Sequence, residues 1–248
     1  MALYIATHKP AQMPSAPWLK PIGVGGFSDA STQLNDAQGD NIAALNRQYC
    51  ELTATYWLWK HCRDPYVGLC HYRRYFSFVP LPVQGYQSLP IVKAPLAPET
   101  LSFLASAAQE QRLESLLEHF EMVVPHPVPE YPSIASSYRA AHGDAVWNAF
   151  RKACRREFGA VAGLLDVETR FYCGNMVVAH AKVFDDYCKS LFKVLGEVVE
   201  EMGVPEAVPG DVRYQPYRYP GYLAERFTSL YLSATRTRFT TVQALWFE

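Results

Sequence analysis

Residues 66–76, YVGLCHYRRYF, concentrate more chemistry than any other stretch of the chain. The apolar run from Tyr66 to Cys70 reads as a buried strand that stops at His71-Tyr72-Arg73-Arg74-Tyr75. In α/β proteins, ligands bind beyond the carboxyl ends of the strands. Adjacent arginines flanked by tyrosines at such an end suit an anionic, partly aromatic ligand, because a guanidinium forks onto phosphate and stacks on rings. A nucleoside diphosphate has both features. The competing reading is a solvated strand end whose arginines pair with neighbouring carboxylates.

Other residues could join such a site, each with a plainer alternative. Thr7, His8 and Lys9 follow a first strand-like run and could meet base, ribose or phosphate; a surface turn is the alternative. Asp40, Asn41 and Asn46 could bind sugar hydroxyls or simply cap a helix. Glu51 sits among aromatics and either points into a cleft or is solvated. His142 and Asp144 lie two residues apart, so they do not share a helix face and converge only at a turn or helix end. They could supply a base or an acceptor contact; a cap at Asp144 is the alternative. Asn175, after a glycine in an apolar run, needs a hydrogen-bond partner, and a sugar hydroxyl is a candidate. Glu225 and Arg226 open an otherwise apolar helix as either an internal salt bridge or a catalytic pair. Trp57 and Trp59 read as core, and Asp185-Asp186 as a helix-surface pair.

The chain has 248 residues, 49% of them hydrophobic, and a formal charge of −1. That fits one domain with a substantial core and speaks against nucleic acid as a partner, which calls for a basic excess. No run approaches a membrane span. The amino terminus lacks the basic region and apolar core of a signal peptide, so a cytosolic protein is expected, with peripheral membrane contact left open. Six cysteines fit no zinc spacing and read as reduced thiols.

Hydrophobic patterning supplies the elements that must position these groups. Strands are expected at 3–6, 66–70, 121–125, 172–179 and 240–247, with a short element at 21–28. Helices are expected at 42–61, 100–120, 181–202 and 222–232, with helical segments over 133–158. Leu45, Tyr49, Leu52, Tyr56 and Trp59 would form one face of the 42–61 helix. Residues 29–41, 80–99 and 210–220 read as loops. The alternation predicts an α/β sheet with helices on both faces.

These segments resemble a bacterial capsular-polysaccharide-synthesis family, long known as a glycosyltransferase-like domain of unknown function. Matching stretches are IATHKP at 5–10, PIGVG at 21–25, GDNIAALNRQYCELTATYWLWKH at 39–61, YVGLCHYRRYF at 66–76, YRAAHGDAVW at 138–147, YCGNMVVAHAKVFDDYCKSLF at 172–192 and GYLAERF at 221–227. The resemblance implies a single GT-A-like domain over 1–248. Residues 1–79 would bind the sugar donor and 80–248 the acceptor. It implies a UDP-sugar, galactofuranose or galactose, and a glycan or lipid-linked oligosaccharide acceptor at the cytosolic face of the inner membrane. The implied donor-binding set is Thr7, His8, Lys9, Asp40, Asn41, Asn46, His71, Arg73 and Arg74; the acceptor-binding set is His142, Asn175 and Arg226. The chain departs from better-known GT-A enzymes in one respect: no Asp-x-Asp follows an expected strand. Arg73 and Arg74 can neutralise a departing diphosphate instead, which leaves a divalent metal open and names no metal ligand. An inverting reaction needs a carboxylate base. Glu225, Asp144 and Glu51 are the candidates, in that order, whereas a retaining reaction needs none. The alternative is a non-catalytic nucleotide- or carbohydrate-binding protein of the same fold. A hydrolase or phosphotransferase would need a metal cluster or phosphate loop, and neither motif is evident.

Overall fold

The structure, a computed structural model, describes residues 2–81, 89–209 and 215–247. The loops expected at 80–99 and 210–220 fall partly outside the described residues. Strands β1 (Ala2–Thr7), β2 (Leu19–Gly23), β3 (Leu34–Asn35) and β4 (Tyr66–His71) form a parallel group in which β1 pairs with both β2 and β4. Every residue of β1 is buried, which is why it reads as a continuous apolar run rather than an alternating one. A tight hairpin joins β4 to β5 (Arg74–Ser77), with His71 opposite Arg74. After β6 (Ile91–Ala94) come β7 (Met122–Pro125) and a small separate pair, β8 (Val128–Pro129) with β9 (Arg170–Phe171). Strand β10 (Val177–His180) runs antiparallel to both β4 and β7. Gly68 permits that approach: a Cβ there would lie 2.8 Å from Val178 Cγ2. The long β11 (Phe239–Phe247) runs parallel to β7, then continues antiparallel to β5 and parallel to β6.

Helices cover both faces, as expected of an α/β sheet. One core packs the sheet against the face formed by Phe184, Tyr187, Cys188, Leu191, Leu195 and Val198 of a long helix, Ala181–Met202. The other packs it against Leu113, Leu116 and Leu117. The 181–202 prediction matches residue for residue because its apolar positions keep helical spacing throughout.

Two expected elements divide and a third is shortened. The 42–61 segment forms a 3-10 turn (Ala43–Leu45), α1 (Asn46–Tyr49) and α2 (Leu52–His61). The break falls at Cys50, with φ 53° and ψ −133°. Side chains satisfy the carbonyl freed there: Cys50 O accepts from Asn46 Nδ2 at 2.7 Å and from Thr53 Oγ1 at 3.1 Å. Leu45, expected on the buried face, is 41% exposed. The 100–120 segment becomes α3 (Pro98–Leu104) and α4 (Ala107–His119), separated by an extended Ser106. The 172–179 strand is shortened to β10, because Gly174 (φ 92°) and Asn175 (φ 51°) form a left-handed turn before it. Helices α5 (Ile134–His142) and α6 (Asp144–Phe158), then α7 (Ala181–Met202) and α8 (Tyr219–Ala234), complete the set.

Candidate active site

A cavity of about 990 Å³ opens at the carboxyl ends of β1 and β4. The sheet supplies one wall: His8 after β1, His71 at the end of β4, Arg73 and Arg74 in the hairpin, and Trp246 from β11. The hairpin shapes this wall locally. Arg73 N donates to His71 Nδ1 at 3.2 Å, so Nδ1 is the unprotonated nitrogen. Burial pushes the His71 pKa down to about 4, leaving a neutral ring at pH 7. The Arg74 guanidinium lies 4.6 Å above the Trp246 ring and that of Arg73 lies 5.3 Å from Tyr72. Neither arginine pairs with a carboxylate among the described residues, so the stacking orients them without neutralising them.

The opposite wall comes from the α1–α2 break (Asn46, Arg47, Cys50, Glu51) and the start of α8 (Arg218, Gly221, Tyr222, Glu225, Arg226). The Gly174-Asn175 turn ties the two candidate carboxylates in place. Glu225 Oε1 accepts from Gly174 N at 2.6 Å, while Asn175 Nδ2 donates to Glu51 Oε1 at 3.0 Å and Gly221 O at 3.2 Å. Asn175 Oδ1 is buried without a partner among the described residues. Only Cys50 and Asn175, among the described non-glycine residues, have positive φ, and both line this cavity. Strained backbone of this kind clusters at functional sites.

Glu225 has a side chain only 14% exposed. Burial raises its pKa, opposed by Arg226, the Gly174 N–H and Arg74. Arg226 Nη1 reaches Glu225 Oε2 at 3.1 Å and its Nη2 reaches Glu130 Oε1 at 3.7 Å, while its guanidinium lies 4.0 Å above Phe171. Ser137 in turn donates to Glu130. His142 ends α5 stacked on Tyr222 at 4.8 Å; burial, then Arg226, pushes its pKa down to about 4.

The structure thus gathers His8, Asn46, Glu51, His71, Arg73, Arg74, His142, Asn175, Glu225 and Arg226 around one cavity. Five expected residues lie outside its lining. Thr7 is fully buried, with Oγ1 donating to Lys9 O at 2.6 Å, and Lys9 is exposed beside the Tyr72 ring. Asp40 accepts from Tyr56 at 3.0 Å near Lys60, and Asn41 holds the Ala43 N–H at 3.1 Å, so capping and surface pairing account for both. Asp144, placed second among the base candidates, is 62% exposed and pairs with Arg139 at 2.5 Å. Gly143 (φ 82°) turns the chain between α5 and α6 and sends Asp144 away from His142. Asn46 reaches the cavity, but its amide is engaged in holding the Cys50 break.

Trp57 and Trp59 stay outside the lining; Trp59 stacks on Phe192 and donates to Asp185 Oδ1 at 2.7 Å. Asp186 pairs with Lys182. Among the described residues no group of His, Cys, Asp and Glu could hold a metal ion. The strand end presents cations where a metal would need carboxylates, so those residues do not fit a divalent metal. Reading the sequence missed Arg47, Cys50, Glu130, Arg218, Tyr222 and Trp246, which carry no spacing signal. The polar, tyrosine-rich stretch around Arg218 was the one available hint.

The family described as "Domain of unknown function (DUF4422)" matches residues 2–236. The chain belongs to that family. No curated protein matches the sequence. A solved structure described as the WbbM bifunctional glycosyltransferase, apo form, superposes with a TM-score of 0.82 at 22% identity. The likeness covers 100% of this chain and 45% of that one, so this DUF4422 chain spans less than half the solved protein and shares its fold. Of the resemblance seen in the sequence, the membership in a family of unknown function and an α/β fold shared with a solved glycosyltransferase hold. The DUF4422 match contains every cavity residue except Trp246, which stands beyond its carboxyl boundary. Among the described residues no helix is long and apolar enough to cross a membrane.

Proposed function

We propose that the protein is a glycosyltransferase of GT-A-like architecture. It moves a hexose, galactofuranose or galactose, from a UDP-sugar to a glycan or lipid-linked oligosaccharide acceptor during surface-polysaccharide synthesis. One observation carries the reading: two arginines with no carboxylate partner among the described residues share a single cavity with a largely buried glutamate whose pKa is raised. Arg73 and Arg74 take the diphosphate, whose leaving charge needs pre-positioned cations. Neutral His8 and His71 serve as hydrogen-bonding groups beside it. Glu225 accepts the acceptor hydroxyl proton as that oxygen bonds to the sugar's anomeric carbon and the bond to the diphosphate oxygen breaks. A carboxylate with a raised pKa is a better base near neutral pH than an ordinary one. Glu51, pinned by Asn175, orients hydroxyls, and His142, Asn175 and Arg226 meet the acceptor. The same reading puts the protein in the cytosol, at the inner face of the membrane that presents a lipid-linked acceptor.

The test is a panel of UDP-, GDP- and CDP-sugars in thermal-shift and product-release assays, with and without chelator. UDP compounds should raise the melting temperature most, since a ligand of the native state stabilises it, and UDP release should require an acceptor. Equal or absent shifts across all nucleotides would reject the nucleotide-sugar site. Binding without turnover across the panel would favour a non-catalytic binding protein.

A further inference from the structure

The strained Cys50 has no role in the chemistry described above, yet its thiol is aimed. Arg218 Nε donates to Cys50 Sγ at 3.2 Å. Burial pushes the Cys50 pKa up to about 11, so the thiol is neutral at pH 7 and holds the guanidinium without cancelling its charge. The Arg218 guanidinium also lies 5.8 Å from the Tyr222 ring. No carboxylate pairs with Arg218 among the described residues. Its situation therefore repeats that of Arg73 and Arg74: fixed by soft contacts, cationic, and turned to the same cavity. His8 lines the same cavity as Arg73 and Arg218. Burial, Lys9, Arg73 and Arg218, in that order, lower the His8 pKa, so His8 stands within electrostatic reach of cations from both sides.

We propose that Arg218 supplies a second jaw of the diphosphate site, in the same cavity as Arg73, and that Cys50 is the residue that positions it. This assignment rests on the nucleotide-sugar reading and extends it. A diphosphate would be gripped from the β4–β5 hairpin on one side and from the approach to α8 on the other. It also gives the broken 42–61 helix a reason. A non-glycine residue at φ 53° and ψ −133° is unfavourable, and here the break turns the Cys50 thiol towards Arg218. Were the helix continuous, Cys50 would follow the helical path instead.

The experiment is calorimetric titration of UDP and of uridine, in chelator, into the parent protein and the variants Arg218→Ala, Arg218→Lys and Cys50→Gly, each first checked by thermal melting. Arg218→Ala should weaken UDP about ten- to a hundredfold, the range for loss of one charge-assisted contact, and leave uridine unchanged. Arg218→Lys should recover only part, because an ammonium cannot fork. Cys50→Gly separates positioning from structure. Glycine accepts the backbone conformation, so this variant should melt no lower than the parent and still bind UDP several-fold more weakly. An Arg218→Ala protein that binds UDP like the parent, or that loses uridine equally, overturns the assignment. A Cys50→Gly protein with parental UDP affinity overturns the positioning role. A parent that binds no nucleoside diphosphate would fail the nucleotide-sugar reading itself, which is distinguishable from a parent that binds while Arg218→Ala is unaffected.

Discussion

Replacing Glu225 separates catalysis from stability more sharply than any other substitution. Its carboxylate accepts from Gly174 N at 2.6 Å and Arg226 Nη1 at 3.1 Å. Glu225→Ala leaves a buried N–H and a largely buried guanidinium each one partner short. Hydrogen bonds to a charged group contribute about 1.5–3 kcal/mol, and part of the Arg226 loss is offset by Glu130. A net cost of about 2–3 kcal/mol corresponds to a fall in melting temperature of roughly 4–12 °C for a chain of this size. Glu225→Gln keeps an oxygen for Gly174 N and removes the charge that burial penalises. A carboxyl whose pKa is raised in the fold binds its proton more tightly folded than unfolded. Its stabilising contribution is present below the ordinary value of 4.5 and is lost as pH rises through the raised value in the fold. Glu225→Gln should therefore match the parent in acid and become the more stable protein as pH rises above that value. Turnover should fall about 10²- to 10⁴-fold, the contribution of a general base. Melting curves from pH 4 to 8, paired with a UDP-release assay, read both effects. A glutamine variant that turns over like the parent would remove Glu225 as the base. One that is less stable at neutral pH would show that its charge is not penalised by burial.

Arg73→Ala or Arg74→Ala should weaken UDP binding about ten- to a hundredfold, with lysine restoring part; two folded alanine variants of parental affinity would remove the hairpin from the site. Asn175→Asp would set a second carboxylate against Glu51, now 3.0 Å from the amide, and remove the donor that Gly221 O accepts from. It should destabilise by about 1–3 kcal/mol and depress turnover, as melting and UDP release would show. Asp144→Ala removes an exposed ion pair outside the cavity, so melting temperature and turnover should stay near parental; a large loss of turnover would contradict its placement.

Much of the architecture was legible because hydrophobic pattern and tertiary burial agree. The buried β1, the 181–202 helix and the arrival of His71, Arg73 and Arg74 at a cavity follow from apolar runs and from where they stop. The break at Cys50 was hidden because Tyr49 and Leu52 are both buried and no glycine or proline marks the spot. Local side-chain hydrogen bonds from Asn46 and Thr53 make the break, and periodicity does not register them. Asp144 misled for the converse reason: nearness to His142 in sequence suggested convergence, and one glycine turn undoes it. Thr7, Asp40 and Asn41 are polar at the right places, but Thr7 and Asn41 are consumed by local turns and caps and Asp40 by surface pairing with Tyr56 and Lys60. Arg47 and Arg218 were missed because isolated arginines in polar stretches have no distinguishing spacing, and only the fold brings them to the wall opposite Arg73.

The most direct test of the central claim, that this cavity is a metal-independent nucleotide-sugar site, is calorimetric titration of UDP into the purified protein in chelator. The account predicts saturable binding, one UDP per chain, displaced by a UDP-hexose and abolished when Arg73 and Arg218 are both replaced by alanine. No detectable binding of UDP, GDP or CDP, or binding that appears only when a divalent ion is restored, would contradict it.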